Sequence, residues 1–153
     1  MNQTEITILQ RKIADYPERI ARLQKRQEMI PVPAASEIEP AIRSLGAYII
    51  QLTAVKSSFD KIGAEVRQDE EMLRGYLDEI AGSGQTAPET LRYSLVQLQH
   101  ILMTTDTHTS SLEELLDSAR QAREKLELAG KQKKTLDVVK LLRMIEKGDG
   151  YRL

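Results

Sequence analysis

With 153 residues, no cysteine and only 4% aromatics, the chain is long enough for one domain but carries no disulfide, thiolate metal site or thiol nucleophile. Hydrophobic residues at 41% and charged residues at 29% exclude a disordered polymer, and no apolar run reaches the ~18 residues of a membrane-spanning helix. The net charge of −1 divides unevenly: residues 1–36 and 118–153 are net basic, and residues 37–117 are net acidic. The absence of cysteine and of a secretory-signal pattern at the first residues leads us to expect a soluble, cytoplasmic protein.

The first predicted helix spans 4–30. Ile6, Leu9, Ile13, Tyr16, Ile20, Leu23 and Ile30 keep the alternating three-and-four spacing of a helical seam. Pro17 interrupts it, so the helix either kinks there or restarts from the Asp15–Glu18 start signal. Pro31 and Pro33 end it and leave the chain extended.

The second predicted helix, 39–81, organises the rest. Ile38, Leu45, Leu52, Phe59, Val66, Leu73 and Ile80 are spaced by sevens and are all apolar. A repeat held this long marks a helix whose seam winds against another, on the order of 65 Å at about 1.5 Å per residue. Gly82-Ser-Gly84 then breaks it, with Gly82 expected in the left-handed cap. A third predicted helix covers 87–129, opening at the Thr86–Glu89 box and continuing the seam through Leu91, Leu98, Leu112, Leu116 and Leu126. Its middle, Thr104 to Ser111, is polar, and a break into two helices there is the rival reading. Gly130 is expected to end it, ahead of a short helix over 135–147 and a tail over 148–153.

Equal arms about a short glycine turn predict an antiparallel hairpin. Residues equidistant from Gly84–Gln85 should face each other, which sets Gly63 against the threonine run and Tyr76 level with Tyr93. The apolar stripe of the second helix widens at Ile42, Ile49 and Ile50, and at the equivalent upper positions becomes Gly63, Glu70 and Leu77. Helix one is therefore expected on the lower half, Ile38 to Ile62. The expected fold is all-α: a long antiparallel coiled-coil hairpin with the N- and C-terminal helices packed on its base, a helical bundle with a protruding two-helix tip.

No residue set points to catalysis. His100 and His108 are the only histidines and lie too far apart along one helix to share a metal. The acidic cluster at Asp69 lacks the pocket that acid–base chemistry needs. We expect no enzyme activity, cofactor, metal or small-molecule substrate. The expected function is that of an interaction protein, a scaffold, adaptor or partner-specific chaperone. Its expected docking residues are Asp69, Glu70, Glu71, Tyr76, Leu77 and Tyr93 at an anionic tip suited to a basic surface or helix of a partner protein. Asp69 occupies a seam position, where a polar residue either fixes register or sits solvated at the rim. The alternative is a nucleic-acid or anionic-membrane binder using Arg120, Arg123, Lys131, Lys133, Lys134 and Arg143, together with Arg19, Arg22, Lys25 and Arg26 of helix one. Self-association stays open at this stage.

Overall fold

Apolar seams at helical spacing, with proline and glycine confined to a few places, produce three helices in the computed structural model, which describes residues 1–33 and 35–146; of the side chains beyond Lys133, it describes only that of Leu142. These are α1 (Gln3–Glu28), α2 (Ile38–Gly82) and α3 (Glu89–Glu146). No strand occurs among the described residues. The fold is all-α, with α2 and α3 forming the antiparallel hairpin and α1 packed on them.

The ends of the elements follow from local chemistry. Asn2 caps α1: its side chain accepts from the Glu5 N–H at 2.8 Å, and the Glu5 carboxylate accepts from the Asn2 N–H at 3.4 Å, the reciprocal box that satisfies two orphan donors. The helix continues unbroken through Pro17, so the restart is excluded. At the other turn it is Gly84, not Gly82, that takes the left-handed conformation, at φ 79°. Gln85 N–H donates to the Ile80 carbonyl and Gly84 N–H to that of Ala81, the paired bonds of a Schellman cap. The helix thus reaches Gly82 before the chain reverses.

Contacts divide the chain into two compact units, Met1–Ile30 with Gln51–Leu115, and Pro31–Ile50 with Leu116–Leu153. In the first, α2 and α3 pair in the register that the turn predicts. Lys56 reaches Glu113 at 3.5 Å, and Gln99 donates to Glu70 at 3.4 Å. A Cβ built on Gly63 would lie 3.2 Å from Thr105 Cγ2, so the helices touch closely there because Gly63 has no side chain. The polar middle of α3 stays helical. Thr105 is buried at the seam, and its hydroxyl donates to the Ile101 carbonyl one turn back at 2.9 Å. Thr104 donates in the same way to the His100 carbonyl and Thr107 to that of Met103.

The expected position of α1 is overturned. It lies against α2 residues 58–69 and α3 residues 90–108, antiparallel to α2, and so covers the segment expected to protrude as a bare two-helix tip. The connection does not forbid this, because extended chain advances ~3.3 Å per residue against ~1.5 Å for helix. The width of the apolar stripe misled for a chemical reason. Gly63, Glu70 and Leu77, read as a thinning of the stripe, are all buried, and Ile50 is 71% exposed. On α3, Ser94 and Ile101 are buried beside the expected seam, and Ser94 lines the cleft that α1 makes with α3.

In the second unit two helical segments run side by side. The Cβ position of Gly46 lies 3.7 Å from the Arg123 guanidinium, and that of Gly130 lies 3.4 Å from Ile38 Cγ2. Gly130 does not end α3, which continues to Glu146, so the separate helix expected over 135–147 and its packing as a fourth element are corrected. An isolated glycine costs a helix only about 1 kcal/mol, and the Lys-Gln-Lys-Lys run after it consists of good helix formers. The expected tail over 148–153 lies outside the described residues.

Candidate partner-binding surface

Polar groups of the first unit cluster at the contacts between helices. Asp69, on the face of α2 turned to α1, is only 6% exposed. The Tyr16 hydroxyl donates to its Oδ2, and Lys12 Nζ donates to Oδ1 at 2.9 Å. Tyr16 is fully buried, and burial, reinforced by the Asp69 carboxylate, pushes its phenol well above the ordinary range. Lys12 and Arg19 flank the Tyr16 ring at 5.9 and 5.7 Å from its centroid. Of the two readings of Asp69, a solvated place at the rim is excluded.

One turn away Arg19 grips Glu65 through two parallel bonds of 2.9 and 3.0 Å, which hold the Glu65 carboxyl below its usual range. On the α3 side Glu70, 2% exposed, accepts from Arg74 Nε at 2.9 Å and from Gln99. The Arg74 hydrogen bonds keep the Glu70 carboxyl low. Further along, the His108 ring stacks on Phe59 with centroids 5.2 Å apart, and its Nε2 meets the Gln24 amide at 2.6 Å. Among the described residues no buried side-chain nitrogen or oxygen lacks a partner, and no three histidine or acidic groups gather as a metal site.

This geometry redistributes the expected docking residues. Asp69, Glu70 and Leu77 are buried, and both carboxylates are engaged within the chain, so none of the three forms part of an exposed anionic tip. The reason is α1, whose Tyr16 and Lys12 claim Asp69, and the close α2–α3 contact, which encloses Glu70. Tyr76 is half-buried, and Glu71 and Tyr93 are exposed.

The basic residues also separate. Arg19, Arg22 and Arg26 line a groove of the first unit, and the Arg120–Lys133 segment belongs to the second. There Arg120 lies 3.7 Å from Asp117, and Arg123 donates to Glu127 at 3.1 Å. Lys131 and Lys133 are exposed; the side chains of Lys134 and Arg143 lie outside the described residues.

Two surfaces regroup expected residues, Tyr93 in one and Arg19, Arg22 and Arg26 in the other, with neighbours that the expected sites did not include. On the outer face of α3, Tyr93, Val96 and Met103 are 63%, 58% and 69% exposed. From Tyr93 to Thr105 the helix has no Asp, Glu, Lys or Arg, in a chain that is 29% charged. That gap is visible in the sequence but falls off the seam, where attention goes to the repeat. Tyr93 also edges an open cleft of about 280 Å³ between α1 and α3, with Gln10, Ala14 and Gln97 on its walls. The second surface is the groove between α1 and α2, about 410 Å³, beside the Arg19–Glu65 pair.

No helix among the described residues is long and apolar enough to cross a membrane. Compared with family models, curated proteins and solved structures, this chain gives no match.

Proposed function

We propose that the chain is a non-enzymatic interaction protein, of the scaffold, adaptor or partner-specific chaperone kind, that acts in the cytoplasm by docking an amphipathic helix of a partner protein on the outer face of α3. The observation that carries the reading is the uncharged stretch Tyr93–Thr105, with its exposed Tyr93, Val96 and Met103. Val96 and Met103 are seven residues apart and Tyr93 is three before Val96, so the three share one stripe. The centres of protein interfaces are depleted of charge and enriched in tyrosine and methionine. Methionine adapts to irregular partners, and tyrosine presents a large apolar ring with a polar tip. The cleft beside Tyr93 suits a helix that lays its apolar side chains into a groove.

The alternative, an anionic membrane or nucleic acid held by the basic C-terminal segment, has less support. Arg120 and Arg123 have carboxylate neighbours on their own helix, which dilutes their field.

A photo-cross-linking residue at Val96 or Met103, introduced in the native cell, should trap a discrete protein. The same residue at Gln68, exposed on α2, should not. With the cross-linker at Val96, Met103→Glu should abolish the adduct while leaving helicity intact. Equal trapping from both faces, or none from α3, would sink the proposal.

A further inference from the structure

The groove between α1 and α2 is built from opposed parts. Its floor is apolar, with Ile62 buried and Leu23 half-buried. Its walls carry Arg22 and Arg26 from α1 and Lys61 from α2. Arg22 and Arg26 stand four residues apart and so share one face. Glu65 is the one acidic residue among those lining the groove, and Arg19 occupies both of its oxygens. Among the described residues, Arg22, Arg26 and Lys61 have no ion-pair partner within 4.0 Å. Three exposed cations thus surround a small apolar floor, and nothing within the groove neutralises them.

We infer that this groove docks an acidic segment of a partner protein, one with carboxylates placed on both sides of an apolar side chain. Charge complementarity sets the sign of the partner, and the apolar floor sets its class. A strand of nucleic acid would need aromatic platforms for its bases, and none lines the groove. The basic track is also confined: Asp15 and Glu18 lie on the same helix one turn before Arg19 and Arg22, so a long polyanion would meet acidic groups. A volume of about 410 Å³ suits a few side chains of a peptide. Exposed cations of this kind accelerate encounter and select against basic partners. The site lies on a different pair of helices from the α3 face, so either proposal can fail without the other.

The test uses the purified full chain and a short labelled peptide alternating glutamate with leucine, followed by fluorescence anisotropy. The peptide should bind, more weakly as salt rises, and its glutamine counterpart should not. Arg22→Glu with Arg26→Glu, and separately Lys61→Glu, should each weaken binding by about tenfold or more. Met103→Glu should leave it unchanged. All three side chains are exposed, so circular dichroism should show the variants folded, and Arg22→Gln with Arg26→Gln should give an intermediate loss. Four outcomes would overturn the inference. They are no binding, binding indifferent to the charge reversals, tighter binding of oligothymidylate or phosphatidylserine vesicles through the same residues, and a dimer in sedimentation that the charge reversals dissolve.

Discussion

Tyr16 and Asp69 meet where α1 packs on α2, the buried phenol donating to a carboxylate that is itself buried, with Lys12 Nζ 2.9 and 2.8 Å from its two oxygens. An apolar seam alone would let α1 slide along α2 by a heptad at little cost. A buried donor and acceptor that must find each other remove that freedom.

Tyr16→Phe leaves Oδ2 of a buried carboxylate with Lys12 alone, 2.8 Å away, and should cost about 1–3 kcal/mol. Asp69→Leu strands the Tyr16 hydroxyl and should cost a similar amount. The double variant should recover most of the loss, since removing both partners of a buried polar pair is often near neutral. Urea denaturation of the four proteins gives the coupling directly. Losses that simply add would mean the two residues act independently.

Gly63 and Gly75 are both interior to α2 but should respond oppositely to alanine. Nothing lies within 4 Å of a Cβ at Gly75, so Gly75→Ala should raise stability by up to about 1 kcal/mol through helix propensity. At Gly63 the new methyl meets Thr105 Cγ2 at 3.2 Å, on a buried side chain tied to Ile101. That crowding should cancel the gain or reverse it. Adding Thr105→Ser, which deletes the obstructing methyl, should restore part of the benefit in thermal melts.

Acid should weaken the first unit in a defined direction. Arg74 and Arg19 hold the Glu70 and Glu65 carboxyls below the ordinary 4.5, so the folded chain binds protons less readily than the unfolded one. Their stabilisation is complete above that value and is lost as pH falls through the folded pKa. The melting temperature should therefore drop on acidification below about 4.5, and Glu70→Gln should flatten the drop while lowering stability at neutral pH. On the alkaline side the sign is opposite. The Tyr16 phenol is raised above its ordinary 10.0, so stability should decline as pH climbs past that value, and Tyr16→Phe should reduce the decline.

Pro17 sits inside α1, exposed, where it removes a backbone hydrogen bond. Pro17→Ala should stabilise the protein by on the order of 1–3 kcal/mol, read from the denaturation midpoint. An unchanged or lowered midpoint would mean that the rest of α1 is shaped around the ring.

Local chemistry was enough to read α1, α2 and the pairing of α2 with α3, though not the run of α3 past Gly130. The seven-residue spacing from Ile38 to Ile80 specifies a long seam. The glycines after Ala81 specify a reversal, and together they set Lys56 against Glu113 and Gly63 against Thr105 before any folding is considered. The uncharged stretch from Tyr93 to Thr105 was equally open to view. What only the tertiary structure decided is where α1 lies and which polar groups go inside. The hydrophobic pattern puts Asp69 on the seam without deciding its burial and scores Glu70 as surface, because each residue is weighed alone. Their burial becomes favourable only when Arg74 and Gln99, or Tyr16 and Lys12, arrive with matching donors. Three of those donors lie on other helices, more than fifty residues away for Tyr16 and Lys12, and no local window contains them.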